Sequence, residues 1–266
     1  MTSEQLPPGV DPDVPSTARM YDYYLGGKNN YRVDRERAEQ VIAAFPGARE
    51  AARANRAFLG AAVRTMARNG VDQFVDLGAG LPTQGHVHEV ARPLQSGTRV
   101  VYVDIDPVAC AHARALLPDD ATAVVHADIR RPADVLDDPQ VARLIDWDRP
   151  VGLLLISVLH FIDDADDPAG IIGAFTGRMA SGSHLALTVA SGTDAPADTE
   201  RMADAYKGSG TGVGGLRDQA RIEAFFAGFP LLAPGLVEVR DWPDAPASPR
   251  PAAGPVRLLA GVGRRP

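Results

Sequence analysis

The amino-acid sequence predicts an α/β fold in which a largely parallel sheet is covered by helices on both faces, with a helical segment before it. Two observations predict this fold. From residue 73 onward, short apolar stretches of strand length alternate with stretches of helical pattern, which is typical of parallel sheets with crossover helices. The apolar segment 151–158 is continuous rather than alternating, as expected for a central strand buried on both faces.

The composition narrows the class of protein. Of the 266 residues, 45% are hydrophobic and 23% are charged, and these values exclude a disordered or coiled-coil chain. The net charge is −7, so the chain lacks the basic character that nucleic acids and anionic membranes attract, and we expect neither as a partner. No secretory signal or membrane-spanning run is visible, and the single cysteine, Cys110, excludes an internal disulfide. These features predict a cytoplasmic protein.

The first seventy residues precede the alternating pattern. Residues 1–15 carry four prolines and predict an extended arm, and helical periodicity then covers 34–45 and 48–68. We therefore expect the chain to divide into an N-terminal arm with a helical lid, 1–70, and a core, 71–266.

The core is predicted as five strand–helix units followed by two strands. The five strands are 73–77, 99–104, 122–127, 151–158 and 184–190. The helices that follow them are 82–91, 107–117, 133–145, 168–179 and 198–206. A further helix at 218–226 precedes strands 236–240 and 256–262, which no helix separates. These last two strands should therefore pair antiparallel at an edge of the sheet.

A glycine loop follows the first predicted strand. That strand runs into Gly78-Ala79-Gly80, and the next helix is expected to begin at Pro82. Glycines in such a turn let the backbone approach a ligand closely, and free amides at a helix start attract polar or anionic groups. A dinucleotide fingerprint would have a third glycine where this chain has Thr83, which argues against NAD or FAD.

Two aspartates lie at the ends of the second and third predicted strands. Asp104 ends the second strand and Asp128 follows the third. Because the carboxyl ends of parallel strands share one edge of the sheet, both should lie beside the glycine loop. Asp104 suits the hydroxyls of a ribose, and Asp128 suits the amino group of an adenine. Each aspartate alone is also typical of a turn or a helix N-cap, but three such strand ends together favour a nucleoside site.

These motifs resemble those of the class I S-adenosylmethionine-dependent methyltransferases in order and spacing. The motifs are Asp76-Leu77-Gly78-Ala79-Gly80, Val103-Asp104 and Ala127-Asp128. More narrowly, segment 15–34 is similar to the N-terminal signature of a small S-adenosyl methyltransferase family, formerly a domain of unknown function. Segment 232–236 together with Trp242 resembles the C-terminal end of that family.

The resemblance implies S-adenosylmethionine as the cofactor and a Rossmann-like, seven-stranded sheet whose last strand is antiparallel. It also implies roles by position. The glycine loop meets the methionine part of the cofactor, the acid after strand two holds the ribose, the acid after strand three reaches the adenine, and strand four faces the methyl-transfer site. The residues at these positions are Gly78, Ala79 and Gly80; Asp104 and Ile105; Asp128 and Ile129; and Ser157, Val158, Leu159 and His160.

His160 is the candidate catalytic residue, as a general base near the methyl acceptor. A histidine that merely lines the pocket is the alternative. No metal site is expected, because His86 and His88 are two residues apart on a predicted helix and would point to different faces.

Segment 19–31 is predicted to fold over the cofactor. It contains four tyrosines and two adjacent glycines, which a structural helix rarely carries. Tyr24 could pack on the adenine or over the sulfonium, and Arg19 or Lys28 could pair with the cofactor's carboxylate. In the alternative interpretation, the segment is an aromatic helix packed on the sheet, and Lys28 is solvated.

The sequence therefore predicts a methyltransferase that acts on a small-molecule acceptor. The alternative is a protein that binds the cofactor or its product without methyl transfer, as a sensor or a partner-binding module.

Overall fold

The structure is a computed structural model, and it describes residues 11–82, 85–117, 119–192, 196–206, 208–209, 215–243 and 256–266. Most of the predicted N-terminal arm, Thr83 and the greater part of the predicted loop before the last strand lie outside these residues.

A seven-stranded sheet forms the centre of the described structure. Its strands are β1 Gln73–Leu77, β2 Arg99–Asp104, β3 Thr122–His126, β4 Gly152–Ile156, β5 His184–Gly192, β6 Val237–Glu238 and β7 Val256–Arg264. The strand order is β3-β2-β1-β4-β5-β7-β6. Strands β1 to β5 pair parallel, and β7 pairs antiparallel with both β5 and β6. The predicted α/β class and the antiparallel last strand are confirmed.

The described residues also form ten α-helices. These are α1 Thr17–Tyr24, α2 Arg32–Ala44, α3 Ala48–Arg68, α4 Val87–Ala91, α5 Pro107–Leu116, α6 Pro132–Leu136, α7 Pro139–Leu144, α8 Pro168–Thr176, α9 Pro196–Tyr206 and α10 Gln219–Ala224. The five from α5 to α9 begin with proline, whose missing N–H has no intrahelical partner at that position.

Two predicted helices differ from the structure. The helix expected from Pro82 begins only at Val87, because Gly85 adopts a left-handed φ of 69° that interrupts a helix, and His86 has extended backbone. The helix predicted at 133–145 is two helices, α6 and α7. Pro139 cannot donate to the preceding turn, and the Asp138 side chain caps the second helix instead.

The last two strands form the expected edge, but the first of them is shorter than predicted. β6 spans Val237–Glu238, and the chain then enters a 3-10 turn, Val239–Asp241. Val239 in that turn is fully buried against the face of the sheet that α3 covers.

Helix α3 packs directly on the sheet. Phe58 and Met66 lie in one apolar cluster with Phe74 of β1, and the Phe58 ring meets Trp242 edge-on at 4.9 Å. A Cβ atom at Gly152 would come within 2.6 Å of the Phe74 ring, so this close packing requires glycine there. The predicted division of the chain into two parts at residue 70 stays a prediction. In the structure, α3, which precedes that position, shares an apolar core with the strands that follow it.

The remaining N-terminal elements form a cap, which we define as residues 16–56. Helices α1 and α2 pack on each other and on α3, and α2 also packs on α9. Their apolar residues form a separate small cluster, which consists of Met20, Tyr24, Ala38, Val41, Ala52 and Ala205.

A buried ion pair organises the cap. The Arg19 Nε atom donates to Asp34 Oδ2 at 2.8 Å, and Arg19 Nη2 donates to the Val14 carbonyl at 2.6 Å. The Asp34 carboxylate also accepts the backbone N–H groups of Ser16 at 2.9 Å and Tyr31 at 2.7 Å. Asp34 is fully buried, and these three donors, Arg19 Nε and the N–H groups of Ser16 and Tyr31, compensate the loss of its hydration.

The same cation reaches the core. Asp106, between β2 and α5, accepts a hydrogen bond from the Ser16 hydroxyl, and its Oδ2 lies 3.7 Å from Arg19 Nη1. Asp106 also caps α5 through the amides of Val108 and Ala109. We call Ser16, Arg19, Asp34 and Asp106 the Arg19 network. It fixes the cap to the carboxyl edge of the sheet.

Substitution of Arg19 by methionine tests the contribution of this network to stability. The variant leaves Asp34 and Asp106 buried without their cation, and breaking a buried pair from one side costs about 3–5 kcal/mol. We expect urea denaturation to show that the free energy of unfolding of the Arg19→Met variant is lower than that of the native chain by this amount.

Arg32→Met is the matched control, because Arg32 also pairs with a carboxylate, Glu36, but its side chain is 72% exposed. Exposed pairs contribute about 0–1 kcal/mol. Equal losses in the two variants would contradict a structural role for the Arg19 network.

Candidate functional site

A cavity of about 510 Å³ lies between the cap and the carboxyl ends of β1 to β4. Ten of the eleven strand-end positions singled out in the sequence line it. They are Gly78, Ala79, Gly80, Asp104, Ile105, Asp128, Ile129, Ser157, Val158 and His160, whereas Leu159 is buried behind them.

The glycine loop forms the floor of the cavity beside β4. Gly78 and Gly80 have left-handed φ values of 76° and 68°, which only glycine adopts without cost. A Cβ atom on Gly78 would lie 2.7 Å from the Val158 side chain. The loop after β1 and the loop after β4 are therefore in direct contact, so a ligand on one also meets the other.

Asp104 closes the loop from the neighbouring strand. Its Oδ2 accepts the Gly80 N–H at 2.7 Å, and its Oδ1 accepts the Asp106 N–H at 2.8 Å. Burial raises its pKa to about 6, although these backbone hydrogen bonds oppose the shift. The N-cap of α5 is Asp106 and not Asp104. Asp104 thus forms hydrogen bonds within the turn, as the alternative interpretation of a turn-forming aspartate expects, and it also lines the cavity.

Asp128 is held by a neighbouring cation at the outer edge. Arg130 donates to Asp128 Oδ2 through Nε at 2.9 Å and Nη2 at 2.6 Å. Burial opposes ionisation of this carboxyl group, but the Arg130 hydrogen bonds outweigh it and lower its pKa. Both residues line the cavity, with Ile105 beside them, 42% exposed.

The loop after β4 carries backbone strain. Ser157 has a left-handed φ of 58°, which is uncommon for a residue with a side chain. The Thr188 hydroxyl of β5 fixes it by accepting the Ser157 N–H at 2.7 Å. Arg217, which is 2% exposed, holds the following residues by donating to the carbonyls of Leu159 at 2.8 Å and Ile162 at 2.7 Å.

His160 is a neutral histidine in this loop. Burial, together with the nearby charge of Arg217, lowers its pKa to about 4. Its Nδ1 atom accepts the Ala190 N–H at 3.4 Å, so the hydrogen-bond pattern assigns the ring proton to Nε2. A ring in this tautomer presents a donor, which favours a pocket-lining role over the general base predicted from sequence.

The sequence pattern of the S-adenosyl methyltransferase family matches residues 3–266. The chain belongs to this family. Its cofactor is S-adenosylmethionine, and the cavity presents the strand-end residues that the resemblance assigned to this cofactor. No curated protein sequence matches the chain.

Two solved structures of the same architecture support the family assignment. A candidate methyltransferase from Thermobifida fusca YX is 40% identical, with a TM-score of 0.89 over 99% of both chains. A DUF574 family protein from Streptomyces avermitilis is 34% identical, with a TM-score of 0.87 over 96% of this chain and 99% of that one.

Asp76 and Arg56 also line the cavity of this methyltransferase-family chain, and neither was assigned a role from the sequence. Asp76 is the last residue but one of β1 and is 5% exposed, and Arg56 reaches the cavity from α3. Burial raises the pKa of Asp76 to about 7, Arg56 opposes this shift, and Asp104 adds to it. Asp76 stood in the quoted motif without a role. Arg56 is one of five arginines on α3, and nothing in the sequence distinguishes it.

The cap contributes part of the predicted lid. Tyr24 and Tyr21 line the cavity, as does the segment from Ser16 to Ala18. The structure does not bring Arg19 or Lys28 to it. Arg19 is occupied by the Arg19 network, and Lys28 is exposed away from the lining residues. Their predicted pairing with the cofactor's carboxylate therefore has no support in their positions.

Two other features concern membranes and metals. Among the helices of the described residues, none combines the length and the apolar character needed to cross a membrane. The same residues contain no cluster of three or more histidine, cysteine or acidic side chains arranged to hold a metal ion.

The raised pKa of Asp76 predicts a particular pH dependence of stability. Between about pH 4 and pH 7 the folded chain retains a proton that the unfolded chain has released, so this group lowers stability as the pH rises. Asp76→Asn removes the effect. We expect the unfolding free energy of the variant, relative to the native chain, to increase from pH 4 to pH 7 and then to level off.

Asp119→Asn provides a control of opposite sign. The hydrogen bond from Arg92 lowers the pKa of Asp119, so its stabilisation is lost only as the pH falls below about 4. Relative to the native chain, this variant should show a constant difference above about pH 5. Parallel pH profiles for the two variants would contradict the assignment for Asp76.

Proposed function

We propose that this protein is an S-adenosylmethionine-dependent methyltransferase that acts on a small-molecule acceptor in the cytoplasm. The observation that carries the proposal is the convergence of the glycine loop, the strand-end carboxylates and the loop after β4 on one cavity under the cap. Its volume of about 510 Å³ is in the range of small-molecule sites. The net charge of −7 disfavours a nucleic acid acceptor, and a single, buried cysteine suits a reducing compartment.

The outer part of the cavity suits the adenosyl group. We assign the ribose hydroxyls to Asp104, and its position in the cavity lining directly beside Gly80 supports this assignment. Ile105 and Ile129 offer apolar surfaces for the adenine ring, and Asp128 lies beside them as an acceptor for its amino group.

The inner part suits the methionine group. Gly80 leaves open space where a side chain would lie, which allows close approach of a ligand, while Gly78 allows the loop to pack against Val158. Arg56 is the lining cation that acts on Asp76, which lies two residues before Gly78 in the chain. We therefore assign the cofactor's carboxylate to Arg56 and its ammonium group to the side of Asp76. This assignment replaces Arg19 and Lys28.

In the proposed reaction, the protein positions the cofactor and the acceptor and encloses them away from water. When bound, S-adenosylmethionine supplies an electrophilic methyl group on its sulfonium. Ser157 and Val158 hold the wall beside the glycine loop, where β4 meets it. Tyr21 and Tyr24 cover the site from the cap and exclude water. Orienting two reactants and removing water account for most of the acceleration that such a transfer needs.

The test of the proposal has two stages. Calorimetric titration with S-adenosylhomocysteine should show binding, and incubation with methyl-labelled S-adenosylmethionine and a metabolite extract should place label in the small-molecule fraction. Binding without any transfer would support the non-catalytic alternative. Absence of binding would contradict the proposed function.

Arg56→Met tests the assignment of the cofactor's carboxylate. A charge-assisted hydrogen bond contributes about 1.5–3 kcal/mol, so affinity for S-adenosylhomocysteine should fall by about 10- to 100-fold. Arg53→Met is the matched control, because Arg53 lies on the same helix but is exposed and outside the cavity lining. It should bind as the native chain does. Equal affinities of the two variants for S-adenosylhomocysteine would show that a residue other than Arg56 binds the cofactor's carboxylate.

A further inference from the structure

We propose that the methyl acceptor is an uncharged, flat aromatic molecule with a small polar group, and that it binds between the cap and the loop after β4. Its polar group is held by the hydroxyl of Tyr24. This inference rests on the proposed methyl transfer and goes beyond it by naming the class of acceptor and a residue that selects it.

A row of aromatic rings forms one wall of this subsite. The rings of His160 and Phe161 have centroids 4.4 Å apart, and Phe161 meets Tyr206 of α9 edge-on at 5.3 Å. All three residues line the cavity. Phe45 and Val41 line it from the cap. Two apolar walls of this kind fit a flat hydrophobic molecule, since aromatic pairs gain energy from stacked and edge-on contacts.

Charged residues are segregated away from these walls. Those lining the cavity belong to α3, the strand ends and the β6–β7 edge; they are Arg56, Asp76, Asp104, Asp106, Asp128, Arg130, Glu238, Arg240 and Arg257. Among the described residues that line it from α1, α2, the β4 loop and α9, none carries a charge, because His160 is neutral. A charged acceptor there would lose its hydration without gaining a counter-charge.

Tyr24 supplies a polar atom at this position that is only weakly engaged. The residue is 4% exposed, and its hydroxyl faces the Tyr206 hydroxyl without reaching the geometry of a full hydrogen bond. Burial raises the pKa of the Tyr24 hydroxyl, and the contact with Tyr206 raises it further, so it stays protonated and able to donate. A buried polar atom without a good partner is destabilising, and a polar group on the acceptor would complete its hydrogen bonding.

A second polar atom lies on the same side of the cavity. Asn55 donates through Nδ2 to the Tyr21 hydroxyl at 2.9 Å, and that hydroxyl donates to the Ala52 carbonyl at 3.0 Å. These bonds fix the orientation of the amide and leave Asn55 Oδ1 buried without a partner among the described residues. The subsite therefore offers one donor and one acceptor within otherwise apolar walls.

A series of naphthalene probes tests the charge and polarity of the subsite. The full chain, first alone and then saturated with S-adenosylhomocysteine, is titrated with 2-naphthol, naphthalene, 2-naphthoate and 2-naphthylmethylammonium. We expect 2-naphthol to bind at least tenfold more tightly than either ion, and more tightly than naphthalene. Equal or tighter binding of an ion, or no binding of 2-naphthol, would overturn the inference. The separate titration with S-adenosylhomocysteine shows whether the proposed function itself has failed.

Tyr24→Phe tests the hydroxyl alone. Loss of one neutral hydrogen bond should weaken 2-naphthol binding by about 2- to 10-fold and leave naphthalene binding unchanged. Tyr23→Phe is the matched control, because this adjacent hydroxyl bonds Glu39 and Tyr23 does not line the cavity. It should bind all four probes as the native chain does. Native 2-naphthol affinity in Tyr24→Phe would overturn the role of Tyr24, and the probe series decides the acceptor class if that variant does not fold.

Discussion

The buried cation of Arg19 is the interaction on which the functional site depends. Arg19 lies between Asp34 of the cap and Asp106 at the end of β2, and none of the three is more than 9% exposed. The apolar cluster around Met20 gives the cap its stability, but apolar contacts are non-directional. The ion pair supplies the direction. It fixes α1 to Asp106, which lies two residues after the predicted ribose acid, Asp104, in the chain. The cap therefore closes over the strand ends and creates a cavity rather than an open edge.

The electrostatics of that cavity have two distinct parts. At the strand ends, burial raises the pKa of Asp76 to about 7 and that of Asp104 to about 6, and the charges of neighbouring carboxylates add to both shifts, Asp104 acting on Asp76 and Asp106 on Asp104. A cationic ligand relieves the cost of ionising these carboxyl groups, and S-adenosylmethionine carries two positive charges. Along α1, α2, the loop after β4 and α9, the lining residues are uncharged and several of them are aromatic. The division assigns the charged cofactor to one part and an uncharged acceptor to the other, within one continuous space.

The sequence predicted most of the fold because its signals are local. Strand length, helix periodicity and the continuous apolar run of β4 are readable from neighbouring residues. Two predicted helices, 82–91 and 133–145, differ from the structure because the prediction extended their periodicity across Gly85 and Pro139, which interrupt a helix. The site was predictable where motifs end strands, as at Gly78 and Asp104. The roles of Arg56 and of Asp106, which faces Arg19, were not predictable. They depend on contacts between residues far apart in the chain, such as Ser16 with Asp106, 90 residues apart. The tautomer of His160 likewise depends on an amide of β5.

The crystal structure of the full chain with S-adenosylhomocysteine tests the central claim most directly, namely that the cap and the strand ends together enclose the cofactor. The account predicts ribose hydroxyls on Asp104, the sulfur atom over Gly78–Gly80 facing the loop after β4, the carboxylate on Arg56, and Tyr21 and Tyr24 covering the ligand. A cofactor bound at the strand ends but open to solvent, with α1 displaced and the Arg19 network broken, would contradict it.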